Sequence, residues 1–227
     1  EEECHIVMEL GRTSPAFRSV VGTNMGIGSQ GLLMDGTEEQ RRHFLPKLAS
    51  GEIIGSFALT EPNAGSDAAS LETKAVEDGD DFLLTGTKQW ITNAKSAQLF
   101  TVFARTDPDE SRSRGVSAFL VEADRSGISL SSNYKKMGQQ GAHVCDINFD
   151  QCRVPRSNII GGPDRINNGF QTAMKTLDRG RIHIAALSVG CAKRLIDMSI
   201  SYALERKQFG KPIAEFQLLQ GMLADSQ

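Results

Sequence analysis

Long apolar runs, paired cysteines and an excess of charge of either sign are all missing from this 227-residue sequence. The longest charge-free, mostly apolar run near the C-terminal half, Ile182 to Ala192, is about half of the roughly 20 residues that a membrane-spanning helix needs, so no span is expected. Four cysteines, Cys4, Cys145, Cys152 and Cys191, lie far apart without a C-x-x-C pair. That spacing argues against a disulfide framework or a zinc ribbon and for a reducing compartment. His143 and Cys145 fall on one face of a strand with Cys152 nearby, but without a second close pair they read as core fillers, and no metal is expected. The 25 basic and 28 acidic side chains leave a net charge of −3, which excludes a protein that coats nucleic acid. Any anionic ligand has to be held by local Lys, Arg or backbone N–H groups. Glu1-Glu2-Glu3-Cys4 has neither a basic nor an apolar region of a signal peptide, so the chain is expected not to be secreted.

The sequence divides into a helical part over 1–52, a β part over 53–155 and a second helical part over 156–227. Glu1 to Leu10 reads as a helix stopped by Gly11, and Thr37-Glu38-Glu39-Gln40 is a capping box that opens a helix to about Leu48. Ala16 to Met34 between them is mixed apolar and Gly-rich. From Ile53 the hydrophobic period becomes two, predicting strands near 53–60, 72–78, 81–89, 97–106, 115–122, 128–133 and 142–150. Asp78-Gly79-Asp80 marks a hairpin turn, and Pro108 to Arg114 a polar loop. Short strands with no helices between them imply an antiparallel barrel or sandwich. After Gly161-Gly162-Pro163, Phe170, Met174, Leu177, Ile184, Leu187, Cys191, Leu195, Met198 and Tyr202 recur at three and four, predicting one long helix over about 168–208, ended by Gly210 and Pro212. A helix of that length implies a bundle, often an oligomeric one. A further helix begins near Ala214. Both ends of the sequence fall inside elements, so a piece of a longer protein is expected.

Gly26-x-Gly28-x-x-Gly31 matches a dinucleotide fingerprint, but Asp35-Gly36-Thr37 starts a separate helix too soon for a βαβ unit, which favours small-residue packing. Four other stretches carry chemistry. Phe57-Ala58-Leu59-Thr60-Glu61-Pro62-Asn63-Ala64-Gly65-Ser66-Asp67 is a strand end running into a tight loop. Trp90-Ile91-Thr92-Asn93 sets the only tryptophan beside a hydroxyl, a flat face with a polar edge that suits a planar heterocycle. Leu177-Asp178-Arg179-Gly180-Arg181, and Glu205 to Lys211 with Phe216-Gln217, put arginines shaped for phosphate at or beside the long helix. Each has a bland reading as loop, core or solvated helix face.

In their order and identity these stretches, with Met137-Gly138-Gln139, Val154-Pro155 and Glu205-Arg206-Lys207-Gln208-Phe209-Gly210-Lys211-Pro212-Ile213, resemble the acyl-CoA dehydrogenase family from about residue 15 onward. The resemblance implies an α+β multidomain fold: a helical N-terminal part, an antiparallel β-barrel middle domain and a C-terminal helical bundle. It implies FAD as cofactor, an acyl-CoA thioester as substrate, a 2-enoyl-CoA as product, an electron-transfer flavoprotein as electron acceptor and a homotetramer. On it, Phe57, Leu59, Thr60, Gly65 and Ser66 look like the flavin and substrate loop. Trp90, Ile91 and Thr92 look like the wall over the flavin. Ser66, Asp178 and Arg181 look like substrate contacts. Arg206, Gln208, Phe209, Phe216 and Gln217 look like the segment that reaches the FAD of a neighbouring subunit.

The family draws its glutamate base from beyond the position of Gln227 or, in some members, from the position here held by Gly180, which cannot take a proton. The base is therefore expected past Gln227, and the chain alone is expected to be catalytically incomplete. Leu177-Asp178-Arg179-Gly180-Arg181-Ile182 is similar to members acting on short or branched acyl groups, in fatty acid or branched-chain amino acid catabolism. An oxidase or flavin monooxygenase of the same fold, or a non-catalytic oligomerisation module, stays open as an alternative. The compartment expected is the cytoplasm in a bacterium and the mitochondrial matrix in a eukaryote.

Overall fold

The computed structural model describes residues 2–110 and 112–227; Glu1 and Ser111, which enter the expectations for the first helix and the 108–114 loop, lie outside the described residues. The chain forms two compact units, one of Ser19–Arg181 and one joining the segment up to Arg18 with Ile182–Gln227. Among the described residues, five α-helices and seven strands build the part up to Glu205: α1 Glu2–Thr13, α2 Pro15–Gly22, α3 Gly28–Asp35, α4 Glu38–Ser50, β1 Gly55–Ala58, β2 Lys74–Asp78, β3 Asp81–Thr92, β4 Leu99–Arg105, β5 Val116–Glu122, β6 Ile128–Leu130, β7 Val144–Pro155 and α5 Gly169–Glu205. A two-stranded hairpin, β8 Lys207–Gln208 and β9 Lys211–Pro212, and α6 Gln217–Ser226 follow.

The strands form one sheet in the order β1-β4-β2-β3-β7-β6, with β5 against the other side of β4. Each expected strand is present. The pairing departs from a purely antiparallel sheet, because β1 runs parallel to β4 and β2 touches β4 in parallel at Lys74–Arg105. The hairpin expected at Asp78-Gly79-Asp80 closes β2 on β3 with Asp78 opposite Asp81. Strands β4 and β5 are buried on both faces, so their apolar residues read as continuous runs. Alternation divides them between two cores. Phe100, Val102, Phe119 and Val121 join Phe82, Leu84 and Ile147 inside the curled sheet. Leu99, Phe103, Val116 and Leu120 face Leu32 of α3, Leu48 of α4 and Ala173 of α5.

Thr37 accepts from the Gln40 N–H at 3.1 Å while the Gln40 side chain accepts from the Thr37 N–H at 3.0 Å, the capping box expected at the start of α4. The Gln40 amide also donates to the Ile159 carbonyl at 2.7 Å, pinning α4 to the β part. The glycines of the dinucleotide-like motif lie at close approaches. A Cβ on Gly28 would meet the Thr23 carbonyl oxygen at 2.7 Å, and one on Gly31 would meet Thr172 at 3.1 Å.

Two sequence expectations change. Gly11 does not end the first helix, which runs on to Thr13; it lets α1 lie against α5, where a Cβ would sit 2.6 Å from the Leu187 carbonyl oxygen. Within the helical part expected over 1–52, the Gly-rich 16–34 stretch forms α2, a π-helical turn over Thr23–Ile27, and α3. The long helix stops at Glu205, ahead of Gly210 and Pro212, which belong to the β8–β9 hairpin.

In the centre of the sheet Lys88 is fully buried and its Nζ lies 2.6 Å from Oε1 of Glu61, itself 4% exposed. Burial pushes the Lys88 ammonium down to about 8 despite the opposing pull of Glu61. Burial alone would raise the Glu61 carboxyl, but Lys88 and hydrogen bonds from Thr73 and Glu72 outweigh it and hold it below its ordinary value. Lys88 binds its proton less tightly folded, at about 8, than at its ordinary 10.5, so the unfolded chain carries the extra proton between those values. This contribution to stability therefore rises with pH across that window. Chemical denaturation from about pH 7.5 to 10.5 should show wild type gaining stability relative to Lys88→Met, and a flat difference would contradict the assignment.

Gly190 of α5 approaches Met8 so closely that an added Cβ would overlap the Met8 backbone. Ala normally improves on Gly in a helix interior by about 1 kcal/mol. Gly190→Ala is expected to lower the melting temperature instead, as read by circular dichroism.

Candidate active site

A cleft of about 400 Å³ within the Ser19–Arg181 unit gathers most of the residues singled out in the sequence. Phe57, Leu59, Thr60, Gly65 and Ser66 come to it from β1 and the following loop, Trp90, Ile91 and Thr92 from the end of β3, and Arg181 from α5. A larger cleft of about 970 Å³, lined by Glu61, Thr73, Lys74 and Arg105 among others, contains none of the residues expected to contact cofactor or substrate. The chemistry of the residues, not the size of the hollow, identifies the site.

Local geometry explains how β3 delivers Trp90. Lys88 pairs with Ile147 and Ile91 with Cys145, so β3 advances three residues while β7 advances two. This is a β-bulge, and the extra residue, Trp90, has φ of +59°. Burial along β3 jumps from Lys88 to Ile91, which leaves Trp90 58% exposed with Ile91 turned into the core. The Trp90 N–H donates to Oδ1 of Asp146 at 3.2 Å. Asp146 also accepts from the Tyr134 hydroxyl at 2.9 Å, which raises the Tyr134 phenol above its ordinary value, and Tyr134 accepts from the Gln89 amide at 3.1 Å. Ser56 of β1 donates to the Thr92 carbonyl at 2.6 Å, fixing the two walls against each other. Phe57 packs on Phe103 with ring centroids 5.0 Å apart.

The site includes residues that the motif reading did not nominate. Phe170, Met174 and Leu177 line the cleft together with Arg181, and their three-and-four spacing on α5 was the available signal. Thr23 and Ile27 reach it from the π-helical turn, where the Gly-rich sequence gave no periodicity. Asp67, at the end of the loop, is the acidic residue on the lining, and its carboxylate accepts from Ser70 at 2.5 Å.

Asp178 is not on the lining. It forms an ion pair with Arg181 at 2.5 Å, and both side chains are largely exposed. Gly180 sits on α5 between Leu177 and Arg181, and an added Cβ there would meet Cγ2 of Ile27 at 3.2 Å.

Arg206, Gln208, Phe209, Phe216 and Gln217 belong to the other compact unit and do not line the cleft. Phe209 occupies the β8–β9 turn with φ of +51° and 92% exposure. Its ring meets Phe216 edge-on at 6.2 Å, and Lys211 lies 4.7 Å over the Phe216 ring. The Ile213 N–H donates to the Arg206 carbonyl at 2.8 Å, which closes the hairpin on itself.

Among the described residues no helix is long and apolar enough to cross a membrane. Cys145 and Cys152 are both part of the core inside the sheet.

Family models of acyl-CoA dehydrogenases match along the chain: the N-terminal domain over residues 1–52, the middle domain over 56–152 and the C-terminal domain over 167–227. A probable acyl-CoA dehydrogenase of Bacillus subtilis is 43% identical over 96% of this chain and 57% of its own length. The mitochondrial isovaleryl-CoA dehydrogenase of Solanum tuberosum is 38% identical over 98% of this chain and 53% of its own. The structure of an acyl-CoA dehydrogenase complexed with FAD from Bacillus anthracis superposes with a TM-score of 0.92 at 38% identity, covering 98% of this chain and 37% of that one. The chain thus spans little more than half the length of the curated relatives it matches. With three domain models in sequence order and the curled sheet between helical parts, the chain belongs to the acyl-CoA dehydrogenase family.

Proposed function

We propose that the whole protein is an FAD-dependent enzyme that removes the α and β hydrogens of a short or branched acyl-CoA to give the 2-enoyl-CoA, passing electrons to an electron-transfer flavoprotein. One observation carries the reading: Thr60 and Ser66 from one stretch and Trp90 and Thr92 from another, some thirty residues on, converge on one cleft with an apolar wall of Phe57, Leu59 and Ile91. The cleft fits the ring end of a flavin, being within the range of small-molecule pockets and combining an exposed indole face with hydroxyls and a loop backbone. FAD bound there would supply the acceptor for the β hydride. The apolar wall excludes water, and Thr60, Ser66 and Thr92 offer hydrogen bonds to polar edges of ring and thioester. Arg181, at the helix end of the lining, offers a cation toward the CoA side. The relatives named for isovaleryl-CoA and for an FAD complex support the substrate class and the cofactor.

On this reading the domains run 1–52, 53–155 and 156–227. Arg206, Gln208, Phe209, Phe216 and Gln217 complete the cofactor site of a neighbouring copy in a homotetramer. The compartment follows the cell type: cytoplasm in a bacterium, mitochondrial matrix in a eukaryote. Exposed Ile182, Val189, Leu195, Met198, Tyr202 and Leu204 on α5 support association, since so much exposed apolar side chain on one helix favours a bundle. Light scattering of the whole protein is expected to give a tetramer, and a monomer with full flavin occupancy would contradict it.

Trp90→Ala is expected to reduce the flavin retained after desalting, read from the 450 nm band. Unchanged flavin would remove Trp90 from the cofactor wall.

Proton removal needs a general base, which on this reading is a carboxylate past Gln227. The 227-residue chain is expected not to bleach flavin on anaerobic mixing with acyl-CoA, for want of a general base contributing on the order of 10²–10⁴-fold. Gly180→Glu is expected to restore bleaching, because that position lies between cleft-lining residues of α5. Rapid bleaching by the unmodified chain would overturn the missing base and direct attention to Asp67.

A further inference from the structure

The ion pair inside the sheet does more than fill space. Lys88 Nζ meets the Glu61 carboxylate at 2.6 Å and also donates to the Leu59 carbonyl at 3.2 Å. The same carboxylate accepts from the backbone N–H of Glu72 at 2.5 Å and of Thr73 at 2.9 Å. On the main chain, Glu61 and Ala64 exchange hydrogen bonds at 2.9 and 3.2 Å, and the Gln89 N–H donates to the Thr60 carbonyl at 2.8 Å. Leu59 and Thr60 line the cleft, and Trp90 follows Lys88 by two residues. An apolar pair of similar volume often stabilises a core as well as a buried ion pair does or better. It cannot, however, direct bonds into separate backbone segments. Here those segments are the Leu59–Ala64 turn, the Glu72–Thr73 link and the strand carrying Trp90.

We propose that Lys88 and Glu61 form the positioning pair of the cleft, fixing the Thr60–Ser66 loop against the Trp90 bulge and so setting the slot in which a planar ring is held. This rests on the flavin reading above. Neither residue lines the cleft, so both act through the backbone they hold.

Trp90 is the only tryptophan of these 227 residues, so in this chain its emission reports on the cleft without any ligand. The test compares wild type, Lys88→Met, Glu61→Gln and a core control, Val154→Ala, which sits opposite Phe82 at the other end of the β3–β7 pairing. All are measured at a temperature where far-UV circular dichroism is the same for every variant. The pair variants are expected to shift the Trp90 emission maximum, raise its quenching by acrylamide and weaken FAD binding on the order of tenfold. Val154→Ala is expected to lower the melting temperature and leave emission and affinity unchanged. If Lys88→Met does not fold, Glu61→Gln, which keeps the shape and an acceptor oxygen, decides alone. Pair variants that behave like Val154→Ala overturn the proposal while leaving the flavin reading intact. A wild type that holds no FAD, but whose Trp90 emission still responds to the pair variants, overturns the flavin reading and keeps the positioning role.

Discussion

An ammonium group placed in the middle of a β-sheet loses its hydration, and only a partner charge with well-aimed hydrogen bonds makes that tolerable. In this chain the partner of Lys88 is Glu61, and the loop that presents Glu61 is the loop that lines the cleft. The constraint therefore runs outward from the core. Because Glu61 must reach Lys88, the chain turns sharply after Leu59, and Glu61 and Ala64 close that turn by exchanging main-chain bonds. Thr60, Gly65 and Ser66 are then held at the edge of the sheet, beside the end of β3.

The same strand has to satisfy two demands of opposite parity. Up to Lys88 its even-numbered residues face inward, as Phe82, Leu84 and Lys88 do; beyond it, Ile91 is the buried one. A regular strand would bury Trp90 and expose Ile91. The bulge inserts one residue and reverses the alternation, so that the largest side chain of the region stands beside the cleft while the core keeps an aliphatic. A tryptophan with φ of +59° is uncommon, and Asp146, bonded to its N–H and to Tyr134, sits where it supports that conformation. An inward pull from Ile91 and an outward hold from Asp146 together specify the site.

These facts account for what the sequence made legible. Strands were visible because alternation and turn residues are local, and the long helix was visible because Phe170, Met174 and Leu177 continue a period that runs to Tyr202. The cleft residues were nominated through a resemblance of motifs, and their convergence depends on the pairing of distant strands. Sequence periodicity is silent about pairing partners, which is why the parallel contact of β1 with β4 was not foreseen. Gly11 misled for a similar reason. Locally a glycine after an apolar run marks a helix end, but here its missing Cβ is required by Leu187, which lies far along the chain. Gly28 and Gly31 show the converse, a ligand-like spacing that serves the approach of α3 to its neighbours. The bulge at Trp90 left no trace in the hydropathy pattern, since a single inserted residue is indistinguishable from a strand end.

The division of the nominated residues between the two compact units has a physical rationale on the proposed reading. On that reading a cleft of about 400 Å³ takes a ring system, and a whole dinucleotide with its acyl-CoA partner would need further walls. Phe209, held almost wholly in solvent by a left-handed turn, has little to recommend it in an isolated chain, because an exposed phenylalanine gains nothing from burial and the turn conformation is strained. Its contact with Phe216 and the cation of Lys211 over that ring keep the pair oriented rather than collapsed. A preoriented aromatic edge beside Arg206 and Gln208 matches a role against a nucleotide bound by another copy, because orienting those groups beforehand lowers the entropy lost on association. On the proposed reading the chain holds one cleft, fixed from within by a buried ion pair, and one exposed aromatic hairpin, and each is part of a larger binding site.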